Sequence, residues 1–271
     1  MRLTHLLIFL TLSCLMPNVL AQAPLVPVTD SVFIEDLTWL EVSEEISSGK
    51  TTIIVPTGGT EQNGPHMVLG KHNYLVTYKA GEIANRLGDA LVAPVVAYVP
   101  EGEIDPPTGH MRFAGTISIP QDVFVQVLEY TARSFKQHGF LDIVFIGDSG
   151  GNQTGQQLVS ELLNEEWAGT GVRVHHITAY YPGRGDDWVV SQGVSAEDVG
   201  SHAGTHDTSS LMYLNPSMLR FDKMLPGSSG DGQGHTGDPA KSTALFGQRI
   251  LEMQINDASD QITEMRVSKR Q

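Results

Sequence analysis

The sequence predicts a three-layer α/β/α domain with a mostly parallel central sheet. Short apolar runs of strand length alternate along the chain with longer amphipathic stretches of helix length. The strand-like runs are apolar throughout, which is typical of parallel strands covered by helices on both faces. Several helical stretches stop at a glycine, a common helix end. We expect ligands to bind at the carboxyl ends of the strands.

The first half of the chain contains a helix followed by two strands with a helix between them. Residues 36–48 have one apolar side, which indicates an amphipathic helix. Residues 51–55 are β-branched and precede a Pro-Thr-Gly-Gly break, so they form a buried strand. Residues 74–87 have helical periodicity up to a glycine, and residues 90–99 are strand-like.

The second half repeats this alternation. Residues 121–138 are an amphipathic helix that a glycine closes, and residues 141–146 are the clearest strand. A helix over 156–167 and a strand over 172–179 follow, and crossovers between parallel strands should be right-handed. Two further helices are predicted over residues 208–214 and 240–253, with a Gly- and Ser-rich surface loop at 224–239.

The N-terminus predicts an exported protein, either periplasmic or secreted. Arg2 precedes an apolar run at residues 6–15 that is too short to span a membrane, and Ala21 fits the end of a signal-peptidase site. An N-terminal anchor and a lipid on Cys14 are the alternatives. We therefore expect a signal peptide over residues 1–21, a leader over 22–34 and one domain over 35–271.

The charge balance narrows the range of partners. The chain has 31 acidic and 17 basic side chains and a formal net charge of −14. Such a surface predicts no binding to nucleic acid or to anionic membranes. The one cysteine, Cys14, lies in the predicted signal peptide, so no disulfide is expected. We expect a small-molecule substrate and no further membrane span.

Two polar clusters follow predicted strands. In the first, Glu61, His66 and His72 combine a carboxylate with imidazoles, which could hold a divalent metal; a solvated loop is the alternative. The second, residues 147–152, contains glycines that let a ligand approach the backbone before a helix begins. A plain turn is the alternative there, and so is an esterase with Ser149 as its nucleophile.

Two further segments carry histidines. His202 could act as a general acid or base because its ordinary pKa lies near neutrality. Asp207 could orient His202 or bind a metal, or it could simply cap a helix. His110, in a loop before a strand-like segment, could line a pocket or lie on the surface.

Taken in order, these segments resemble the creatininase family. The family's blocks correspond to residues 61–66, 110–116, 147–152, 202–209 and 237–243, and the resemblance runs over roughly residues 35–253. The resemblance implies an α/β fold, often a homohexamer, with one or two divalent metals, commonly zinc, manganese or iron. It also implies that a metal-activated water attacks an amide-type carbon.

The chain departs from the family at several ligand positions. Glu61 is kept, but Asn63 replaces a histidine, His72 replaces an aspartate and Ser149 replaces a histidine. A further glutamate ligand of creatininase itself is Gly151 here, and the acidic residue of the late block is shortened to Asp207. The two-metal site of the family therefore cannot be assembled in the same way.

The sequence predicts a hydrolase of carbon–nitrogen bonds other than peptide bonds, with a remodelled metal site. The predicted metal ligands are Glu61, His72 and Asp148, and the catalytic pair is His202 and Asp207. The predicted substrate contacts are Asn63, His66, His110, Ser149 and Asn152. One alternative is a metal-free pocket that retains the catalytic pair, and another is an inactive binding or scaffolding protein.

Overall fold

A parallel sheet of four strands forms the centre of the protein. The structure is a computed structural model, and it describes residues 30–181, 184–224, 226–227 and 232–268. The predicted signal peptide, most of the predicted leader and part of the loop at 224–239 lie outside the described residues. Within those ranges, no helix has both the length and the apolar character needed to cross a bilayer.

The strands are β1 (Thr52–Thr57), β2 (Ala90–Val92), β3 (Asp142–Gly147) and β4 (Arg173–His176). They lie in the order β2-β1-β3-β4, and every neighbouring pair is parallel. In the register of the sheet, Ile54 pairs with Val92 on one side and with Val144 on the other. All residues of β1 and β3 are buried, which explains why both read as continuous apolar runs.

Helices cover both faces of the sheet. They are α1 (Trp39–Ser47), α2 (Lys71–Leu87), α3 (Gln121–His138), α4 (Asn152–Glu166), α5 (Gly185–Ser191), α6 (Ala196–Val199), α7 (Thr205–Leu214) and α8 (Ala244–Ser268). A capping box of Thr38 and Glu41 begins α1, and left-handed glycines at 88 and 139 end α2 and α3.

Alternate strand residues point to two separate cores. Ile53 and Phe145 face one core, which α3 and α4 cover, while Ile54 and Ile146 face the other, which α2 and α8 cover. Each fully buried Ile or Phe contributes about 1.5–3 kcal/mol to stability. The predicted three-layer α/β/α architecture is confirmed.

Some predicted boundaries are wrong. The second strand ends at Val92 instead of residue 99, because Pro94 has no N–H to continue the ladder. The helix predicted over 156–167 begins earlier, at Asn152, directly after the turn that follows β3. The last helix begins at Ala244 and reaches Ser268, well beyond the predicted end at residue 253.

Candidate active site

A pocket of about 610 Å³ opens at the carboxyl edge of the sheet. The loop after β1 contributes Glu61, the loop after β3 contributes Asp148 and Ser149, and the beginning of α2 contributes His72. Parallel strands bring their carboxyl ends to one edge, so loops far apart in sequence meet there. The pocket therefore lies where the strand pattern predicts it.

Glu61 lies at the centre of the pocket and is almost fully buried. Its oxygens lie 2.7 Å from His72 Nε2, 3.2 Å from His110 Nε2 and 3.6 Å from His202 Nδ1. The carboxyl group of Glu101 lies close enough to Glu61 for each group to shift the pKa of the other. Burial alone would raise the pKa of Glu61, but the charge and hydrogen bond of His72 outweigh burial and keep that pKa low.

Both histidines that face Glu61 from the loops contact Gln62. The Gly64 N–H donates to Gln62 Oε1 over 3.0 Å, so Gln62 Nε2 is the atom that donates to His110 Nδ1, at 2.8 Å. His110 then carries its proton on Nε2, towards Glu61, and would bind a metal there only after that proton leaves and the Gln62 amide turns over. His202 Nε2 lies 2.8 Å from the Gln62 carbonyl oxygen and 3.1 Å from Gln62 Nε2; the tautomer that donates over the shorter contact has a lone pair on Nδ1 facing Glu61.

Both of these imidazoles are neutral near pH 7. Burial and the charge of Lys71 lower the pKa of His202 to about 4, and burial lowers the pKa of His110. Ligand atoms of Glu61, His110 and His202 all lie within 4.8 Å of one another, a grouping that could hold a metal ion. A carboxylate with two neutral imidazoles is a donor set that catalytic metal sites use.

A second network surrounds Asp148 on the same floor of the pocket. His72 Nδ1 donates to Asp148 Oδ2 over 2.9 Å, while Lys79 Nζ and the Tyr180 hydroxyl both donate to Oδ1. Burial would raise the pKa of Asp148, but Lys79 and His72 outweigh it and hold that pKa low. Burial and Lys71 oppose the protonation of His72, yet its two carboxylate partners raise its pKa.

A third contact joins the buried Lys71 to the half-buried Asp207. Lys71 Nζ donates to Asp207 Oδ2 over 2.8 Å, and the same oxygen accepts the Ala203 N–H at 2.7 Å. Burial favours the neutral acid, but the Lys71 charge outweighs it, so the pKa of Asp207 lies below its usual value. Asp207 thus stays ionised at the beginning of α7.

The predicted metal ligands Glu61, His72 and Asp148 are neighbours, but they contact one another directly through hydrogen bonds. Both ring nitrogens of His72 are occupied by carboxylates, so His72 would have to release one of them to bind a metal. Its role as a ligand therefore stays a prediction. His202 and Asp207, the predicted catalytic pair, both line the pocket.

The predicted substrate contacts divide into two groups. His110 and Ser149 line the pocket, whereas Asn63, His66 and Asn152 are fully buried outside its lining. Asn63 Nδ2 donates to the carbonyls of Glu61 and Val68, and Asn152 Nδ2 donates to those of Thr57 and Gly58. These bonds hold the loop after β1 in place. His66 Nε2 donates to Thr208 Oγ1 over 3.0 Å.

Three residues of the site were not predicted from the sequence: Lys71, Lys79 and Glu101. Lys71 and Lys79 are 1% and 2% exposed, and both lie on the buried face of α2. The signal was available, since Lys71, Leu75 and Lys79 recur every four residues beside the apolar positions of that helix. Glu101 lies in an irregular loop, and no pattern in the sequence indicates that it is buried.

Comparison with known proteins adds to this geometry. The sequence model of the creatininase family, described as creatinine amidohydrolase, matches residues 35–262. The chain belongs to the creatininase family. Membership confirms the prediction of a hydrolase that acts on carbon–nitrogen bonds at the level of the family.

Two curated relatives illustrate the range of the creatininase family. The mycofactocin precursor peptide peptidase of Mycolicibacterium smegmatis is 29% identical over 242 residues, which cover 81% of this chain and 87% of the relative. The creatinine amidohydrolase of Pseudomonas putida is 26% identical over 203 residues, which cover 72% of this chain and 76% of the relative.

Solved creatininase structures share the fold. A creatininase variant described as Zn-Zn type has a TM-score of 0.74 and 21% identity, covering 87% of this chain and 98% of its own. A structure described as creatininase Mn has the same TM-score and coverage with 23% identity. The fold of the creatininase family is therefore confirmed for this chain, and those relatives are metal proteins.

Proposed function

We propose that this creatininase-family chain hydrolyses an amide carbon–nitrogen bond with one divalent metal ion held by Glu61, His110 and His202. The observation that carries the proposal is the position of His202. Its Nδ1 lone pair faces the Glu61 carboxylate at 3.6 Å, an arrangement that is repulsive until a cation lies between the two atoms.

Two further features fit a cation at this point. The second nitrogen of His202 donates to a backbone carbonyl, which is the usual outer contact of a histidine that binds metal. Glu61 and Glu101 bring two carboxyl groups into contact, and apart from that contact Glu101 Oε1 is buried without a hydrogen-bond partner. Burial and Glu61 raise the pKa of Glu101, as expected for two carboxyl groups held side by side.

When bound, a divalent ion lowers the pKa of water and polarises an amide carbonyl. The chain supplies the groups around the reacting amide. Ser149 offers a hydroxyl at the pocket wall and also contacts Glu101. His206 lines the same pocket with its Nδ1 held by Asp186, which leaves Nε2 to accept or give a proton. In this proposal His202 is a ligand, and His206 takes the acid–base role that we first assigned to His202.

The substrate class we propose is a small linear or cyclic amide, or the end of a peptide. Relatives named as a peptide peptidase and as a creatinine amidohydrolase both act on amide-type bonds by their names, which supports testing all three kinds. The metal is zinc, manganese or iron in this proposal, since all three bind imidazole and carboxylate donors.

Export and assembly also remain proposals. The apolar run and the Ala21 site support export to the periplasm or medium. The creatininase resemblance supports a homo-oligomer, with a hexamer as the expectation. N-terminal mass analysis of the secreted protein and its native mass in solution test the two proposals separately.

The test combines metal loading with a substrate screen. Purified chain is stripped with a chelator, reloaded with zinc, manganese or iron, and assayed on linear amides, cyclic amides and short peptides. We expect activity that returns only with metal, and a loss of metal affinity of more than about 100-fold in Glu61→Gln and His202→Ala.

His176→Ala is the matched control, because His176 is a half-buried histidine on β4 that does not line the pocket. It should keep both metal and activity. Absence of bound metal and of activity in every loaded sample would contradict the proposal and favour the inactive binding protein.

A further inference from the structure

Asp148 is fully supplied with hydrogen-bond donors from the chain itself. Lys79 Nζ and the Tyr180 hydroxyl donate to one carboxylate oxygen, and His72 donates to the other. Lys79 Nζ also donates to Gln254 Oε1 over 3.1 Å and lies 4.3 Å from the centre of the Tyr180 ring. An amine that donates to a carboxylate and an amide oxygen over an aromatic face behaves as an ammonium ion.

His72 extends this network to the other half of the pocket. Its Nε2 lies 2.7 Å from Glu61 and its Nδ1 lies 2.9 Å from Asp148, so each nitrogen contacts a buried carboxylate. Neither nitrogen is therefore free to bind a metal unless one of these contacts with a carboxylate is broken.

The Asp148 carboxylate is fully occupied by contacts with the chain itself, without a metal beside it. Lys79 Nζ contacts one of its oxygens directly, and the His72 ring covers the other. Buried charges persist only when they are paired, and an added divalent ion at Asp148 would meet the Lys79 charge at close range. That position is therefore closed to a metal.

We propose that Lys79 and the His72 ring occupy the two oxygens of Asp148 that a metal ion would use, so that the chain binds one divalent ion and not two. The single ion rests on the proposed function; the closed position beside Asp148 does not. A creatininase relative is described as Zn-Zn type, so this chain would differ from that relative in metal number.

The number of zinc ions bound per chain tests the inference directly. The protein is equilibrated with excess zinc, separated from unbound ions and analysed by elemental mass spectrometry. We expect one zinc per chain. Two per chain would overturn the inference, whereas none would overturn the proposed function and leave the closed position at Asp148 standing.

Variants show whether charge is the reason. His72→Asp combined with Lys79→Met removes the Lys79 charge and the His72 ring from Asp148 and adds a carboxylate, so we expect a second zinc equivalent. Lys79→Arg keeps the positive charge and should still bind one zinc per chain. Lys223→Met changes an exposed lysine and should also bind one zinc per chain. A folded double variant that still binds only one zinc would contradict the inference. If circular dichroism shows that the double variant is unfolded, the number of zinc ions bound per wild-type chain tests the inference.

Discussion

The two halves of the pocket contain similar side chains but pair them differently. Around Asp148, each carboxylate oxygen meets a donor from Lys79, Tyr180 or His72. Around His202, the tautomer that donates to the Gln62 carbonyl turns a lone pair towards a carboxylate oxygen of Glu61. Both halves contain a histidine beside a carboxylate, so residue types alone do not separate them.

The difference is set by the partner on the far side of each imidazole. His72 has a second carboxylate there, which favours the protonated ring, whereas His202 has the Gln62 carbonyl and His110 has the Gln62 amide. The half around Asp148 therefore behaves as a structural ion network. The half around His202 has two neutral imidazoles, of which His202 can present a lone pair directly and His110 does so only after its Nε2 proton leaves.

The largest effect should come from breaking the ion network at Asp148. Asp148→Asn removes the anion that pairs with Lys79, leaving a buried ammonium without its carboxylate. We expect a loss of about 3–5 kcal/mol in the free energy of unfolding, measured with denaturant. Asp222→Asn, at an exposed aspartate, is the control and should change little. Equal effects of the two variants would show that the network does not stabilise the fold.

A smaller effect should follow from acid. The pKa values of Asp148 and Asp207 are lower in the folded protein than in the unfolded chain, so the stability they contribute is present above about pH 5. It is lost as the pH falls through and below their ordinary unfolded value of about 3.9. Unfolding curves of the metal-free protein between pH 6 and pH 3 test this. Asp148→Asn should flatten the curve, and an unchanged slope would contradict the assignment.

The smallest effect is expected at the surface. Arg133 and Glu166 form a salt bridge between exposed side chains, with good geometry at 2.5 and 2.7 Å. Water screens such a pair, so Glu166→Gln should leave the free energy of unfolding unchanged within the error of the measurement. A loss as large as that of Asp148→Asn would mean that geometry, and not burial, decides the strength of these pairs.

Much of the fold could be predicted because its signals are local. The amphipathic period of residues 121–138 and the glycine after it give α3 with both ends correct, and the apolar run at 141–146 gives β3 to within one residue. The end of β2 at Val92 could also have been predicted, because Pro94 follows it closely in the sequence. Strand alternation placed the pocket at the correct edge of the sheet.

The pairing within the pocket could not be predicted in the same way. Lys79 meets Asp148 across 69 residues and Lys71 meets Asp207 across 136 residues, and no spacing rule connects such positions. The sequence therefore predicts metal binding by His72 and Asp148 and only a substrate contact for His110. The tautomer of His110 depends on the orientation of the Gln62 amide, which only coordinates supply.

The location of a bound ion tests the comparison of the two halves most directly. Crystals of the wild-type chain soaked in zinc would be measured at wavelengths on both sides of the zinc absorption edge. The account predicts one anomalous peak, within about 2.3 Å of ligand atoms from Glu61, His110 and His202. A peak bound to Asp148 or His72, or no peak in the pocket, would contradict it.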